Sequence, residues 1–379
     1  MAAFEGAEHR LIEPVNFGKG VSSFNPFEHL AADPAPLDFG AHTGYGDIKG
    51  LEGLRRLIAR HYQEHFDYDL CPERICITDG ASGALTIAMA MLMDGAGAEL
   101  VIPDSCYPAY RVLARLFNAR VRRAPMRDGG HVDLERLPQQ LTRKTRAILI
   151  DSPGNPHGTY LSADELDALA RLGLPVIFDE VYQPLALGEQ IIPSAIHHAD
   201  QHLIVGSLSK SLAIAGFRVG YLIVPEAQVA LMTNVKAVLN MCTSLPSQVL
   251  AEHLYEHWDG LIDKHRAMLR QHWAIFRRTA AHLGLRLRGE PGAGFFALVD
   301  VADSGRDARE LSLDLARNHA LGSVPGIDFR DNDHAFLRLN FACPGHQIEP
   351  GLGRLAAYLR ASPRSLPQAS VALPALACR

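Results

Sequence analysis

One lysine of this sequence stands beside residues that could bind an anion. Lys210 follows the short apolar run 203–206 and is flanked by serine hydroxyls, among them Ser207, and Arg218 comes eight residues later. An amine that can lose its proton next to anion-binding groups suits a covalently held aldehyde cofactor with a phosphate, in which the lysine forms a Schiff base. A surface lysine in a serine-rich loop is the ordinary alternative for Lys210 taken alone.

Earlier in the chain, a small-residue turn and an aromatic residue could serve the same cofactor. The turn 78–85 contains Ala81 and Ser82 and opens a helical pattern, so its backbone N–H groups could bind an anion at a helix N-terminus. Tyr107 could lie flat against a heteroaromatic ring. A simple helix cap at Ser82 and a core or helix-start position for Tyr107 are the alternatives.

Two polar residues could bind the ring itself. Asn155, in the turn 152–158, can donate a hydrogen bond to a ring oxygen, although Asn-Pro by itself indicates only a turn. Asp179 ends an apolar run, where an unpaired carboxylate would be costly to bury. A pyridinium N–H would pair with this carboxylate, which would in turn keep the ring nitrogen protonated. Helix capping is the alternative for Asp179.

The elements that must position these residues alternate between strands and helices. Candidate strands are 75–78, 99–102, 147–150, 176–178, 203–205 and 219–224, and candidate helices are 82–93, 107–118, 163–172 and 226–240. Apolar strands alternating with helices predict an α/β fold with a mostly parallel sheet covered by helices on both faces. Ligands of such sheets bind beyond the carboxyl ends of the strands, which is where the residues above fall.

The chain is long enough for two lobes, and we expect four segments. They are an N-terminal arm (1–40) that packs with the small domain, a large cofactor-binding domain (41–245), a connector helix with a small α+β C-terminal domain (246–361), and a disordered tail (362–379). The connector is the long helical pattern 246–285. The small domain has predicted strands at 294–300 and 336–341 and a helix at 306–319.

Composition excludes several classes of protein. A formal charge of -5 gives no basic footprint for nucleic acid or a membrane surface. The six cysteines form no C-x-x-C pair and have no zinc-ligand spacing, so no metal site is predicted. The most apolar stretch, 84–93, is well short of the roughly 20 residues that span a bilayer. With no signal sequence visible at the N-terminus, a cytoplasmic protein is expected.

Together these features resemble the class I/II aminotransferase family, the fold-type-I enzymes that depend on pyridoxal 5'-phosphate. The resemblance covers roughly 15–341 and rests mainly on Ser207-Leu-Ser-Lys210 with Gly216-Phe-Arg218-Val-Gly220, supported by Asn155-Pro-x-Gly158 and Asp179-x-x-Tyr182. It implies a seven-stranded-type sheet, a homodimer with shared active sites, and transfer of an amino group between an amino acid and a 2-oxo acid.

The resemblance also implies a role for each matching residue. Lys210 would form the Schiff base and move the α-proton, and Asp179 would pair with the pyridine nitrogen. Asn155 and Tyr182 would contact the ring hydroxyl, and Tyr107 would stack on the ring. The phosphate would be held by Ala81, Ser82, Ser207 and Arg218, with Tyr45 reaching it from the partner subunit. Arg338 would bind the substrate α-carboxylate, unless it is a surface charge on an edge strand.

Substrate and reaction type stay open at this stage. The family's usual Asn-Pro-Thr-Gly is Asn-Pro-His-Gly here, so His157 either contacts substrate or caps a turn. A second carboxylate could be bound by Arg55, Arg56, Arg111 or Arg330. The alternative to transamination is a lyase, cyclase or oxidase of specialised metabolism, of the capreomycidine-synthase-like kind that shares Gly20-Val21. A cofactor-binding module of a transcription regulator is disfavoured, because 1–40 is too short and insufficiently basic for a helix-turn-helix domain.

Overall fold

A seven-stranded sheet forms the centre of the protein. The computed structural model describes residues 13–31, 40 and 43–361 of the chain. The sheet strands are β2 (Ile75–Asp79), β3 (Glu99–Pro103), β4 (Arg120–Ala124), β5 (Thr145–Asp151), β6 (Val176–Asp179), β7 (Leu203–Ser207) and β8 (Val219–Ile223), in the order β2-β8-β7-β6-β5-β3-β4. All neighbouring pairs are parallel except those of β8, which runs antiparallel to both β2 and β7. The predicted mostly parallel sheet is confirmed.

Helices cover both faces of the sheet. They are α1 (Glu52–Phe66), α2 (Gly80–Leu92), α3 (Ala109–Leu116), α4 (Ala163–Ala170), α5 (Leu208–Ser211), α6 (Val229–Asn240), α7 (Leu245–Glu256), α8 (Trp258–His282), α9 (Ala308–Asn318) and α10 (Ile348–Ala361). Along β5, Leu149 belongs to one hydrophobic core, and Ile148 and Ile150 belong to the other. Because successive side chains of a strand point to opposite faces, the sheet separates two cores.

A second, smaller sheet carries one of the predicted site residues. Its strands are β11 (Val324–Pro325), β12 (Phe336–Asn340) and β9 (Phe296–Asp300), with β12 in the middle. Two short strands, β1 (Val15–Asn16) and β10 (Leu321–Gly322), pair in parallel and attach the N-terminal segment to the region of α9. The boundaries of the four predicted segments stay a prediction, and the tail 362–379 lies outside the described residues.

Two elements differ from the sequence prediction. Strand β4 was not predicted, because it is an edge strand whose sequence, Arg-Val-Arg-Arg-Ala, has the charged residues that protect an exposed edge rather than an apolar run. The helical pattern 246–285 is two helices instead of one. The interruption is at His257, the residue between the last residue of α7 and the first of α8.

Candidate active site

The carboxyl ends of the sheet strands surround one cavity of about 430 Å³. Of the eleven residues predicted from the sequence, ten line it: Ala81, Ser82, Tyr107, Asn155, Asp179, Tyr182, Ser207, Lys210, Arg218 and Arg338. The eleventh, Tyr45, is 83% exposed and does not line the cavity. The volume is in the range of sites that bind small molecules and cofactors.

Lys210 lies in the one-turn helix α5, directly after β7. Its Nζ donates a hydrogen bond of 2.6 Å to the carbonyl oxygen of Gly20, which belongs to the N-terminal segment. Burial, assisted by the positive charges of Arg338 and Arg218, lowers the pKa of this amine to about 8. A larger fraction of the amine is therefore neutral, and hence nucleophilic, near neutral pH than for an exposed lysine.

One end of the cavity is suited to an anion. Helix α2 starts at Gly80 with no side-chain cap, so its first backbone N–H groups stay available. Arg218 reaches the same place, where its guanidinium donates to the carbonyl oxygens of Asp79 (3.1 Å) and Ala215 (3.0 Å). Ser207 lines the same cavity, where its hydroxyl accepts from the backbone N–H of Ser209 and donates to the carbonyl oxygen of Val219.

Glycine allows the helix start to approach the strand so closely. A Cβ on Gly220 of β8 would lie 2.6 Å from the carbonyl carbon of Gly80 and 2.7 Å from the nitrogen of Ala81. Such distances are too short for any side chain. Because β8 is antiparallel to β2 and pairs Val219 with Asp79, Arg218 at its start reaches the same sheet edge as the carboxyl ends of the other strands.

Asp179 is buried at the end of β6 and has a partner that the sequence analysis did not identify. Tyr110 of α3 donates its hydroxyl hydrogen to Asp179 Oδ2 at 2.8 Å, and the backbone N–H of Val181 donates to Oδ1 at 3.3 Å. Burial raises the pKa of Asp179 to about 6, and the Tyr110 hydrogen bond opposes this rise. A cation in the cavity would further favour the ionised carboxylate.

A second acid, Asp151, was also missed. It ends β5 directly beside Asp179, its register partner on β6, and it lines the cavity. Its Oδ2 accepts the backbone N–H of Asn155 at 2.7 Å, and burial raises its pKa to about 7. The sequence did contain a signal, because Asp151 closes an apolar strand in the same way as Asp179 does.

Within the described part of the chain, all hydrogen-bond partners of Arg338 are uncharged groups. It lies on the middle strand of the small sheet, so it is not the edge-strand surface charge that the sequence left open. It donates to Asn155 Oδ1 (3.0 Å) and to the Gly18 carbonyl (3.1 Å), and its guanidinium carbon is 3.9 Å from the ring centroid of Phe296. Its buried Nε has no hydrogen-bond partner.

Burial lowers the pKa of Arg338 to about 10, which leaves it charged at neutral pH. A buried guanidinium without an acidic partner is costly. The arrangement therefore favours an anionic ligand at this end of the cavity.

Three further residues singled out from the sequence, Tyr182, Tyr107 and His157, lie in different surroundings. Tyr182 is buried against Phe295 and Phe296, and burial raises the pKa of its hydroxyl well above the ordinary value. Tyr107 is 40% exposed at the cavity edge and packs edge-on to Tyr110. His157 lies outside the main cavity, where its Nε2 is 2.9 Å from Ser105 Oγ, and burial lowers its pKa to about 4.

Among the described residues, no group of three or more His, Cys, Asp and Glu side chains is arranged to hold a metal ion. The same part of the chain contains no helix that combines the length and the apolar character needed to cross a bilayer.

The chain is similar to known proteins over most of its length. The family model described as aminotransferase class I and II matches residues 12–355. A "Probable aspartate aminotransferase" of Methanocaldococcus jannaschii is 26% identical over 353 residues, which cover 89% of this chain and 92% of that protein. An arginine–pyruvate transaminase of Pseudomonas aeruginosa is 28% identical over 325 residues, with coverage of 83% and 82%.

Solved structures show the same fold. The crystal structure of an aminotransferase from Mycobacterium tuberculosis superposes with a TM-score of 0.84, at 26% identity and 95% coverage of both chains. A Thermus thermophilus aspartate aminotransferase variant gives 0.83 at 22% identity, with coverage of 93% and 97%. The chain therefore belongs to the class I and II aminotransferases, transferases of the pyridoxal-phosphate fold type I.

Proposed function

We propose that this chain moves an amino group from an L-amino acid to a 2-oxo acid, with pyridoxal 5'-phosphate attached at Lys210. The observation that supports this best is the convergence of Lys210, Asp179 and Arg338 on one cavity from three separate elements. Of the three, Arg338 also has a buried Nε without a hydrogen-bond partner. Relatives named as aminotransferases support the reaction type but not the identity of the substrates.

The residues present fit the cofactor. The uncapped start of α2 and Arg218 would hold the phosphate, and the buried Asp179 carboxylate would pair with the ring nitrogen. Tyr107 would cover one ring face, and Asn155 with Tyr182 would lie at the ring hydroxyl. When bound, the cofactor supplies an aldehyde carbon that captures amino groups and a pyridine ring that accepts negative charge from the α-carbon.

The chain's own residues would then divide the work of the reaction. Arg338 binds the α-carboxylate and orients the substrate, because a guanidinium can donate two parallel hydrogen bonds to a carboxylate. Lys210 Nζ would take the proton from the substrate α-carbon, and its lowered pKa of about 8 suits a general base. Asp179 would keep a proton on the ring nitrogen of the bound cofactor.

Attachment at Lys210 can be tested directly. Protein incubated with pyridoxal phosphate is expected to absorb in the visible range and, after borohydride reduction, to contain a modified Lys210 in the peptide map. Lys210→Ala is expected to lower the rate of amino-group transfer at least about 100-fold. Modification at another lysine, or none, would contradict the proposal. Ammonia release without a new amino acid would instead favour the lyase, cyclase or oxidase alternative.

We also propose a homodimer. Tyr45, Val238 (87% exposed) and Met241 are exposed apolar or aromatic side chains, and the segment of Tyr45 contacts the start of α7, where a Cβ on Gly46 would overlap Leu245. Asn240 donates to Asp79, which links this surface to the anion end of the cavity. Exposed apolar side chains of this kind favour association. A cytoplasmic location stays a prediction.

A further inference from the structure

Whether the site can bind a substrate with an acidic side chain depends on which cations line the cavity. Of the described residues, those that line the cavity include three cationic side chains: Lys210, Arg218 and Arg338. In the proposed function each already has a task, at the aldehyde carbon, the phosphate and the α-carboxylate respectively. The other charged groups that face the cavity are the acids Asp151 and Asp179.

The four arginines that the sequence left open for a second carboxylate are all engaged elsewhere. Arg55 pairs with Glu73 (2.8 Å), Arg56 with Glu52 (2.5 Å), Arg111 with Asp331 (2.7 Å) and Arg330 with Asp104 (2.8 Å). None of the four lines the cavity. Lys19, although close in sequence to Gly20, lines a different cavity beside 340–347.

A second copy of the chain would not supply the missing cation through the exposed apolar surface around Tyr45 and Met241. The sequence has no lysine or arginine between Lys19 and Lys49, and none between Lys236 and Lys264. Lys49 is bound to Glu73. Lys236 is buried and donates to Asn240 (2.9 Å) and Thr243 (3.2 Å).

The walls near the expected α-carbon are uncharged and partly aromatic. A Cβ on Gly20 would be 3.9 Å from the Phe296 ring and 4.0 Å from Lys210 Nζ, so these three residues enclose the space beside the amine. The Arg338 guanidinium packs against the ring of Phe296. Its central carbon is also 5.0 Å from the ring centroid of Phe329. A second carboxylate here would lose its hydration without gaining an ion pair.

We infer, on the basis of the proposed amino-group transfer, that the amino donor is a monocarboxylic amino acid with an uncharged side chain. Aspartate and glutamate would be poor donors, in contrast to the aspartate aminotransferases among the relatives. The proposal concerns specificity alone, so it can fail while the proposed reaction stands.

Matched donors test this inference. Single-turnover conversion of the cofactor absorbance to that of the pyridoxamine form would be measured with leucine, asparagine and aspartate, and with methionine, glutamine and glutamate. Within each set the side chains have similar size, and charge is the main difference. We expect the neutral members to react with at least about 100-fold higher second-order rate constants, as for a group that loses its partners in a site. Equal or faster reaction of aspartate or glutamate would overturn the inference.

A binding measurement separates affinity from chemistry. α-Methylleucine and α-methylaspartate lack the α-proton, so their equilibrium affinity can be read from the cofactor spectrum without turnover. We expect tighter binding of α-methylleucine, and the opposite order would also overturn the inference. If no amino acid, charged or neutral, produced the pyridoxamine form, the proposed function would fail, and with it the inference.

Two arginine variants provide the control. Arg111→Gln and Arg330→Gln each remove one cation. The ion partners of these two arginines lie nearest in sequence to residues of the cavity. We expect the ratio of glutamine to glutamate reactivity in each variant to stay within about twofold of that of the unmodified protein. A ratio that rises about tenfold or more in either variant would show that this arginine does serve a second carboxylate, which contradicts the inference.

Discussion

At the scale of single residues, the site depends on two acids whose neighbours set their protonation. Asp179 and Asp151 lie side by side on adjacent parallel strands, and both have raised pKa values because of burial. Only Asp179 receives the hydroxyl of Tyr110. Two carboxyl groups this close do not ionise independently, and the hydrogen bond favours the anion on Asp179.

Tyr110→Phe should therefore impair the reaction without emptying the site. Loss of a hydrogen bond to a charged group is expected to lower kcat/KM about tenfold to hundredfold and to move the acidic limb of the pH–rate profile to higher pH, because the bond holds the pKa of Asp179 down. Affinity for pyridoxal phosphate, measured by titration, should change far less. Tyr221→Phe is the matched control, since its buried hydroxyl contacts Tyr62 (3.2 Å) away from the cavity. A profile with an unchanged acidic limb would argue against this role of Tyr110.

In the cofactor-free protein, Asp151→Asn should raise the free energy of unfolding, and only above acidic pH. The folded pKa of Asp151, about 7, is above the ordinary value of 3.8, so folding is disfavoured once the unfolded chain ionises this group, progressively between about pH 4 and 7. Because Asp151 faces the cavity and keeps some solvent, a gain of about 1–2 kcal/mol in unfolding free energy is expected at pH 8. Denaturant titrations should show no gain near pH 4. An equal gain at both pH values would mean that the charge is not the cause.

At the scale of elements, the anion end of the cavity depends on how closely α2 approaches β8. Gly220 is the position that permits this approach, because the three nearest atoms that a Cβ would meet there are all backbone: Gly80, Ala81 and the carbonyl oxygen of Gly206 at 2.9 Å. The strand cannot give way without breaking sheet hydrogen bonds, because Gly220 lies between two neighbouring strands.

Gly220→Ala is expected to cost about 1–3 kcal/mol of stability and to weaken binding of pyridoxal phosphate about tenfold or more, since the helix start must move away from Arg218. Gly260→Ala, at an exposed position of α8 with no atom within 4 Å of the added Cβ, is the control and should leave stability unchanged or slightly raised. Thermal melts with and without cofactor measure both effects. Normal cofactor affinity in a folded Gly220→Ala protein would refute the argument.

At the scale of the whole molecule, one histidine connects three distant segments. His265 of α8 is buried, with Nδ1 at 2.8 Å from the carbonyl oxygen of Ser211 and Nε2 at 2.9 Å from Ser22 Oγ. Its ring stacks on Phe24 at 4.5 Å. It thus joins the connector helix α8 to α5, the helix of Lys210, and to the N-terminal segment. The Gly20 carbonyl of that segment contacts Lys210.

His265→Phe keeps the stacking and removes both hydrogen bonds, so the N-terminal segment should exchange its amide hydrogens faster around 18–24. Burial lowers the pKa of His265 to about 4, below the ordinary 6.5, so the stability it contributes is present above pH 6.5 and is lost as pH falls toward 4. The variant should therefore be less stable at pH 7.5, by about 1–2 kcal/mol, with a smaller deficit at pH 4.5. Hydrogen exchange with unchanged rates at 18–24 would contradict the link.

The sequence by itself predicted the architecture and most of the residues that line the cavity. Apolar runs alternating with helical patterns predicted the covered parallel sheet, and Lys210, Asn155, Asp179 and Arg218 could be singled out because each follows or precedes a strand at an edge where ligands bind. These signals are local, since a strand end and a turn are encoded by a few consecutive residues.

The tertiary structure alone decided which distant side chains meet. The Tyr110–Asp179 hydrogen bond joins residues 69 positions apart, and that between Arg338 and Asn155 joins residues 183 positions apart. The ion pairs of Arg111 with Asp331 and of Arg330 with Asp104 likewise join distant segments. Partner choice between such segments depends on how the elements pack together, which no local sequence pattern contains.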